Sequence, residues 1–171
     1  TEVNDLNTAV RDGTGFGSQA AAVKAGGYGP PGASTYLTAT ETWDGTNWTT
    51  APNSLPAAVA QVRGFGTSTA GVNCGGFMPS VSPPVTAVTS EWDGSAWASG
   101  GLMNTARGNQ QTIGTQTDGL VAGGTDVAPA VTAATELYDG TAWSTRPNMA
   151  TARGQGGGLS TSSVSTAGLV S

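Results

Sequence analysis

The chain has 171 residues, of which 10% are charged, with a net charge of −5, no histidine and one cysteine. Six scattered Lys and Arg cannot build the basic stripe that nucleic acid requires. One cysteine excludes an internal disulfide framework, and the lack of histidine argues against a zinc, copper or haem site. No run reaches the roughly 18 apolar residues of a helical membrane span, so membrane insertion is not expected.

From the N-terminus, the chain declares a repeat. An apolar residue opens each unit at Leu6, Leu55, Met103 and Met149, and ten residues later come Phe16, Phe65, Ile113 and Leu159. A diglycine follows at Gly26-Gly27, Gly75-Gly76 and Gly123-Gly124, with spacings of 49 and 48. Next comes an aromatic and a turn, ETWDGTNW, SEWDGSAW and ELYDGTAW, with the first aromatic at Trp43, Trp92 and Tyr138. Three landmarks sharing one period divide the chain into units 6–54, 55–102 and 103–148, with a truncated unit at 149–171.

Each unit reads as four short strands. Strand a runs through the Phe16-type position, and strand b is the run before the diglycine (AVKA, GVNC, GLVA). Strand c alternates through TATETW, AVTSEW and AATELY, and strand d carries Trp48, Trp97 or Trp143. The pairs Asp44-Gly45, Asp93-Gly94 and Asp139-Gly140 read as hairpin turns between c and d, because Gly tolerates positive φ and Asp tolerates αL. No helical periodicity is sustained anywhere. The expected fold is all-β, a propeller of four-stranded blades, three complete and a fourth partial. The repeated Trp residues are expected to pack between blades, since large aromatics dominate burial in small-residue sheets.

These residues resemble the kelch family, whose pattern is a diglycine ending the second strand, then an aromatic, a turn and a Trp on the fourth strand. The resemblance covers essentially the whole chain. It departs at the Asp-Gly-Thr turn and at the Arg before strand a, where Arg107 and Arg153 hold equivalent places but Arg11 and Arg63 do not. The wording TEVNDLNTA, NTARG and AGLVAGG is similar to kelch-like repeats of bacteriophage virion and tail proteins, notably of marine phages. By the repeat count the chain starts just after a Trp position and stops where a diglycine is due. The ring is therefore expected to be completed by further sequence or by another copy, as a homo-oligomer.

The resemblance implies that the b-to-c and d-to-a loops share one face. The b-to-c loops, YGPPGAS, FMPSVSPP and TDVAPA, differ in length and composition, so this face is the expected recognition surface. Tyr28, Tyr36, Phe77 and Met78 are expected to offer exposed apolar contacts there, with Asp126 as a polar one. Asp118 and Asp126 flank a diglycine and raise a calcium site as a lesser possibility. Cys74 stands in the slot of Ala25 and Ala122, which suits a buried thiol. No catalytic constellation, metal site or cofactor motif is read. The expected function is non-enzymatic: a virion or extracellular fibre, spike or decoration module. Its partners would be a host-surface glycan or protein, or neighbouring virion proteins. A kelch-type interaction adaptor or bacterial adhesin is the second reading, and a propeller-type carbohydrate-active enzyme the third.

Overall fold

The computed structural model describes residues 4–30, 35–127 and 130–155, together with the backbone of 159–160. The expected strand d tail at 1–3, strand b of the last unit within 161–171, and parts of two b-to-c loops (31–34 and 128–129) lie outside the described residues.

Within the described residues the chain is all-β, with no helix. The first sheet is β1 (Thr14–Gly17), β2 (Ala22–Ala25), β3 (Thr40–Trp43) and β4 (Trp48–Thr50). The second is β5 (Arg63–Thr67), β6 (Ala70–Cys74), β7 (Thr89–Trp92) and β8 (Trp97–Ser99). The third is β9 (Gln111–Thr115), β10 (Asp118–Ala122), β11 (Thr135–Tyr138) and β12 (Trp143–Arg146). Each is antiparallel in chain order, so the expected strands a to d are found in each of the three full-length units. A short β13 (Leu159–Ser160) adds in parallel to β9, Leu159 opposite Ile113. The first strands of the sheets, β1, β5 and β9, lie beside one another. The architecture is propeller-like: three antiparallel four-stranded sheets set beside one another through β1, β5 and β9.

The c-to-d connections are hairpins, as Asp-Gly predicts, but the aspartate is not in the αL conformation. Trp43 pairs with Trp48, leaving a four-residue loop, and only the glycine takes positive φ (93–99° at Gly45, Gly94 and Gly140). The aspartate acts through its side chain instead. Asp44 Oδ1 accepts the amides of Thr46 and Asn47 at 2.8 and 2.7 Å, and Asp93 and Asp139 repeat the pattern. These hydrogen bonds to the charged form hold all three carboxyls below the ordinary aspartate range.

Sheets are joined by two repeated devices. The first is aromatic. Trp97 meets the edge of Phe16 in the preceding sheet at 6.2 Å, and Trp143 meets Phe65 likewise at 6.4 Å. Each indole N–H also donates to the threonine that opens the preceding strand c, Trp97 to Thr40 and Trp143 to Thr89, both at 2.9 Å. The preceding phenylalanine needs room, and glycine supplies it. A Cβ on Gly71 would lie 2.1 Å from the Phe16 ring, and one on Gly119 would lie 2.2 Å from Phe65. The equivalent place in the first sheet holds Ala22.

The second device is the diglycine. Gly27, Gly76 and Gly124 each donate their N–H to a carbonyl of the following connection, at Val59, Arg107 and Arg153, at 2.8, 2.8 and 2.7 Å. Both glycines of each pair sit at positive φ, between 62° and 108°, which an L side chain rarely adopts. The apolar core follows these joints: Phe16, Val23, Ala51 and Trp92 lie between the first two sheets, and Phe65, Val72, Met103, Val121, Tyr138 and Trp143 between the second and third.

Each strand d tryptophan stacks on the strand c aromatic of its own sheet, Trp48 on Trp43, Trp97 on Trp92 and Trp143 on Tyr138. Trp97 and Trp143 also reach a preceding sheet, as expected, whereas Trp48 lies on the first described sheet, with none before it to meet, and is half-buried against 8% exposure for Trp143. Trp143→Ala is expected to destabilise by about 3–5 kcal/mol, as for a large aromatic lost from a core. Trp48→Ala should cost clearly less, and urea unfolding of the two variants checks the order.

Candidate functional site

Beyond each diglycine the chain makes one more pair of bridges. Tyr28 bridges to Arg11 and Tyr36, Phe77 to Ala60 and Val85, and Thr125 to Gly108 and Val131. Every b-to-c loop is thereby laid beside a d-to-a connection, so the two loop sets do share a face.

The expected contact residues are less available there than sequence suggested. Met78 is the clearest correction: it is buried, packed among Ala25, Leu55, Val59 and Val62. Its side chain fills the seam between the first and second sheets. Phe77 is half-buried, and its ring occupies the space a Cβ on Gly108 would need. Tyr28 and Tyr36 are half-buried too, with ring centroids 4.8 Å apart and hydroxyls 3.2 Å apart. The Arg11 guanidinium lies 4.6 Å from the Tyr28 centroid. Burial and the Tyr36 hydrogen bond push the Tyr28 hydroxyl up to about 12. Asp126 accepts the Ala130 amide within its own loop at 3.4 Å. The exposed large apolar groups are ones that sequence reasoning passed over: Val81, Val127 and Val131, at 41%, 51% and 54% exposure, with Val88 at 40% just before β7 and Leu102 at 66% in the connection after β8. Val81 and Val127 fall inside the variable loops, and Val131 directly follows TDVAPA.

Beneath this face lies a second feature that the sequence reading missed. The Glu41 carboxylate accepts the amides of Asn7 and Thr8 at 2.8 and 2.9 Å. Glu136 does the same for Asn104 and Thr105 at 2.7 and 3.1 Å. Both asparagines also tie down strand d, through the carbonyls of Trp48 and Trp143. Each buried glutamate has one basic side chain near it, from a different position in each unit. Arg107 pairs with Glu136 at 2.7 Å, both side chains almost fully buried. Lys24 stands opposite Glu41 across β2 and β3; burial lowers its pKa, and the Glu41 charge partly offsets that.

The second sheet breaks the pattern at every position. Ser90 replaces the glutamate, Pro56 and Ala57 replace Asn-Thr, Val59 stands for Arg107, and Asn73 stands for Lys24. Where the other sheets hold an acid and a base, this one has a small cleft of about 50 Å³. Leu55, Ala57, Asn73, Met78, Val88 and Ser90 are among the residues lining it.

The remaining motifs separate readily. Asp118 begins β10 and Asp126 follows its far end, so the calcium possibility has no shared site. Among the described residues, no three Asp, Glu, Cys or His gather as a metal site. The Cys74 thiol is buried, and desolvation raises it to about 12, which suits packing and not nucleophilic attack. The diglycine amides are engaged by backbone carbonyls, so they do not form a phosphate cradle.

No family model and no curated protein matches this chain. Solved structures do, among them that of YjhT, with a TM-score of 0.69 and 11% identity over 85% of this chain. The chain spans about half of that protein, covering 54% of its length. At this identity the likeness shows the fold alone.

Breaking a buried ion pair by removing one partner strands the other charge. Glu136→Ala is therefore expected to destabilise by about 3–5 kcal/mol. Replacing Glu136 and Arg107 together by Leu and Met should recover the part due to the stranded charge, but not the part due to the unpaired Asn104 and Thr105 amides, in the same chemical-denaturation measurement.

Proposed function

We propose that this chain is a non-enzymatic recognition module, a set of kelch-like propeller blades from a virion structural or attachment protein. It acts in an extracellular setting. Its partner is a host-surface glycan or protein, or a neighbouring virion protein, engaged through the face of the b-to-c loops. It needs no cofactor.

The observation that carries this reading is the contrast between scaffold and loops. The residues that join sheets recur at each unit: Trp97 and Trp143, Thr40 and Thr89, and the three diglycines. The loops above them share neither length nor composition, and they set out the exposed Val81, Val127 and Val131. A repeating scaffold must repeat its packing residues and leaves its loops free to match a partner. The resemblance to kelch-like phage repeats supports the virion setting. Weak single contacts suffice where many copies are displayed on one particle, because effective concentration multiplies them.

The test is the triple variant Val81→Ser, Val127→Ser, Val131→Ser. These side chains are exposed, so thermal stability is expected to stay within a few degrees of the parent. Binding to host cells or to partner virion proteins, measured on the multivalent particle, is expected to fall at least ten-fold. Unchanged binding would remove this face from the proposal.

A further inference from the structure

We infer that the two outer sheet faces of this chain bind each other, the first sheet of one copy seating on the third sheet of a second copy. The inference stands apart from the recognition reading above and concerns a different surface, the sheet faces and not the loops.

Both faces are more open than their inner counterparts. The first sheet presents Trp48, half-buried, whose indole N–H has no partner among the described residues and is not closed off from solvent. Around it Gly15 is exposed, and Ala22 and Trp43 are half-buried. The matching Gly64, Gly71 and Trp92 of the second sheet are buried against Phe16 and its neighbours. On the far face of the third sheet, Ile113, Leu120 and Leu137 stand side by side in register, all half-buried. Their counterparts Phe65 and Val72 are fully covered at the seam with the third sheet. β13 joins the third sheet along the β9 edge as a fifth strand, so it does not cover the far face of β10 and β11.

The two faces are complementary, because the chain already makes this contact twice. At each inner seam a strand d indole lies on the phenylalanine of the sheet before it and donates to that sheet's strand c threonine. Trp48 is the indole left over, and Thr135 the threonine left over: its hydroxyl donates to the Ala133 carbonyl and accepts from no described group. Thr135 keeps 7% exposure, where Thr40 and Thr89, each under an indole, have 0% and 1%. Size matches as well. The inner seams set Phe16 on Gly71 and Phe65 on Gly119, where a Cβ would strike the ring. The outer faces change both members together, since Ala22 carries the Cβ and Ile113 replaces the ring. Polarity matches too. At the second seam Glu91 accepts from the Tyr138 hydroxyl. Its counterpart Leu137 would meet Trp43, whose N–H already donates to the Gln19 carbonyl of its own unit, so no acceptor is needed there. Agreement in hydrogen bonding, size and polarity selects a second copy over an unrelated partner. The contact joins different surfaces of the two copies, head to tail.

Sedimentation velocity of the full 171-residue chain is the experiment. The sedimentation coefficient is expected to rise between about 1 μM and about 1 mM, as for a modest interface. A chain that stays monomeric throughout, as it would if its own residues 161–171 took the third sheet's face, overturns the inference. Two variants then spoil one face each, Trp48→Ala the first sheet and Leu137→Arg the third. Each alone is expected to need at least ten-fold more protein to associate, with its β circular dichroism kept. An equal mixture should recover association, because each variant brings the face that the other lacks. Parent-like association of either variant alone, or a mixture no better than its components, overturns the inference. Ile113→Phe keeps the test decisive should Leu137→Arg fail to fold, since it restores the ring of the inner seams against the Ala22 Cβ. It is expected to weaken association at least ten-fold, and Ile113→Phe with Ala22→Gly to bring it back. A double variant no stronger than Ile113→Phe alone also overturns the inference.

Discussion

A sheet of four strands, each three to five residues long, cannot stand alone in water; it must bury a face against a neighbour. In this chain that burial runs through one repeated contact, the strand d tryptophan set edge-on to the preceding sheet's phenylalanine and hydrogen-bonded to its threonine. An indole is large enough to cover a strand made mostly of Gly, Thr and Ala, and its single N–H must find an acceptor once buried. Thr40 supplies that acceptor for Trp97, Trp143 shares its N–H between Thr89 and the Gly101 carbonyl, and Gly71 and Gly119 clear the space for the ring beneath. The diglycine hook then fixes the next connection over the seam. Everything at the loop face, the exposed valines and the cleft included, is positioned by these two joints.

Polar groups at the seams follow the same economy. The first sheet sets Lys24 opposite Glu41 without a hydrogen bond between them, and the third pairs Glu136 directly with Arg107. The second has neither charge. Burying a lone charge is costly, so acid and base are present or absent together even though the base comes from different positions. The second sheet thereby keeps its loop anchor with apolar residues and leaves a small uncharged opening.

Local patterns were readable in the sequence. The four strands of each unit follow from alternation, the turns from Asp-Gly, and the period from Trp and diglycine spacing, because each signal lies within a few residues. What required three dimensions was which side chain the neighbouring unit covers. Met78 looks like any loop apolar residue until the seam with Leu55 and Val59 closes over it. Trp48, Trp97 and Trp143 follow the same Asp-Gly turn, but only Trp97 and Trp143 have a preceding described sheet to meet. The turn aspartates were placed correctly, yet their role is side-chain capping and not αL backbone. One overlooked signal was available: Asn-Thr after the opening residue accompanies Glu41 and Glu136, whereas Pro56-Ala57 accompanies Ser90. That covariation between units marks a contact and predicts the gap where it fails.

The dependence of the fold on the inter-sheet tryptophan is tested most directly by a double-mutant cycle between neighbouring sheets. Trp143→Phe removes the indole N–H while keeping a ring, and Thr89→Val removes the hydroxyl at nearly constant shape. Stabilities of the parent, both single variants and the double variant come from urea unfolding. A coupling of about 0.5–1.5 kcal/mol between the two sites is predicted, the range of a buried hydrogen bond. Additive losses, with no coupling within error, would contradict the account.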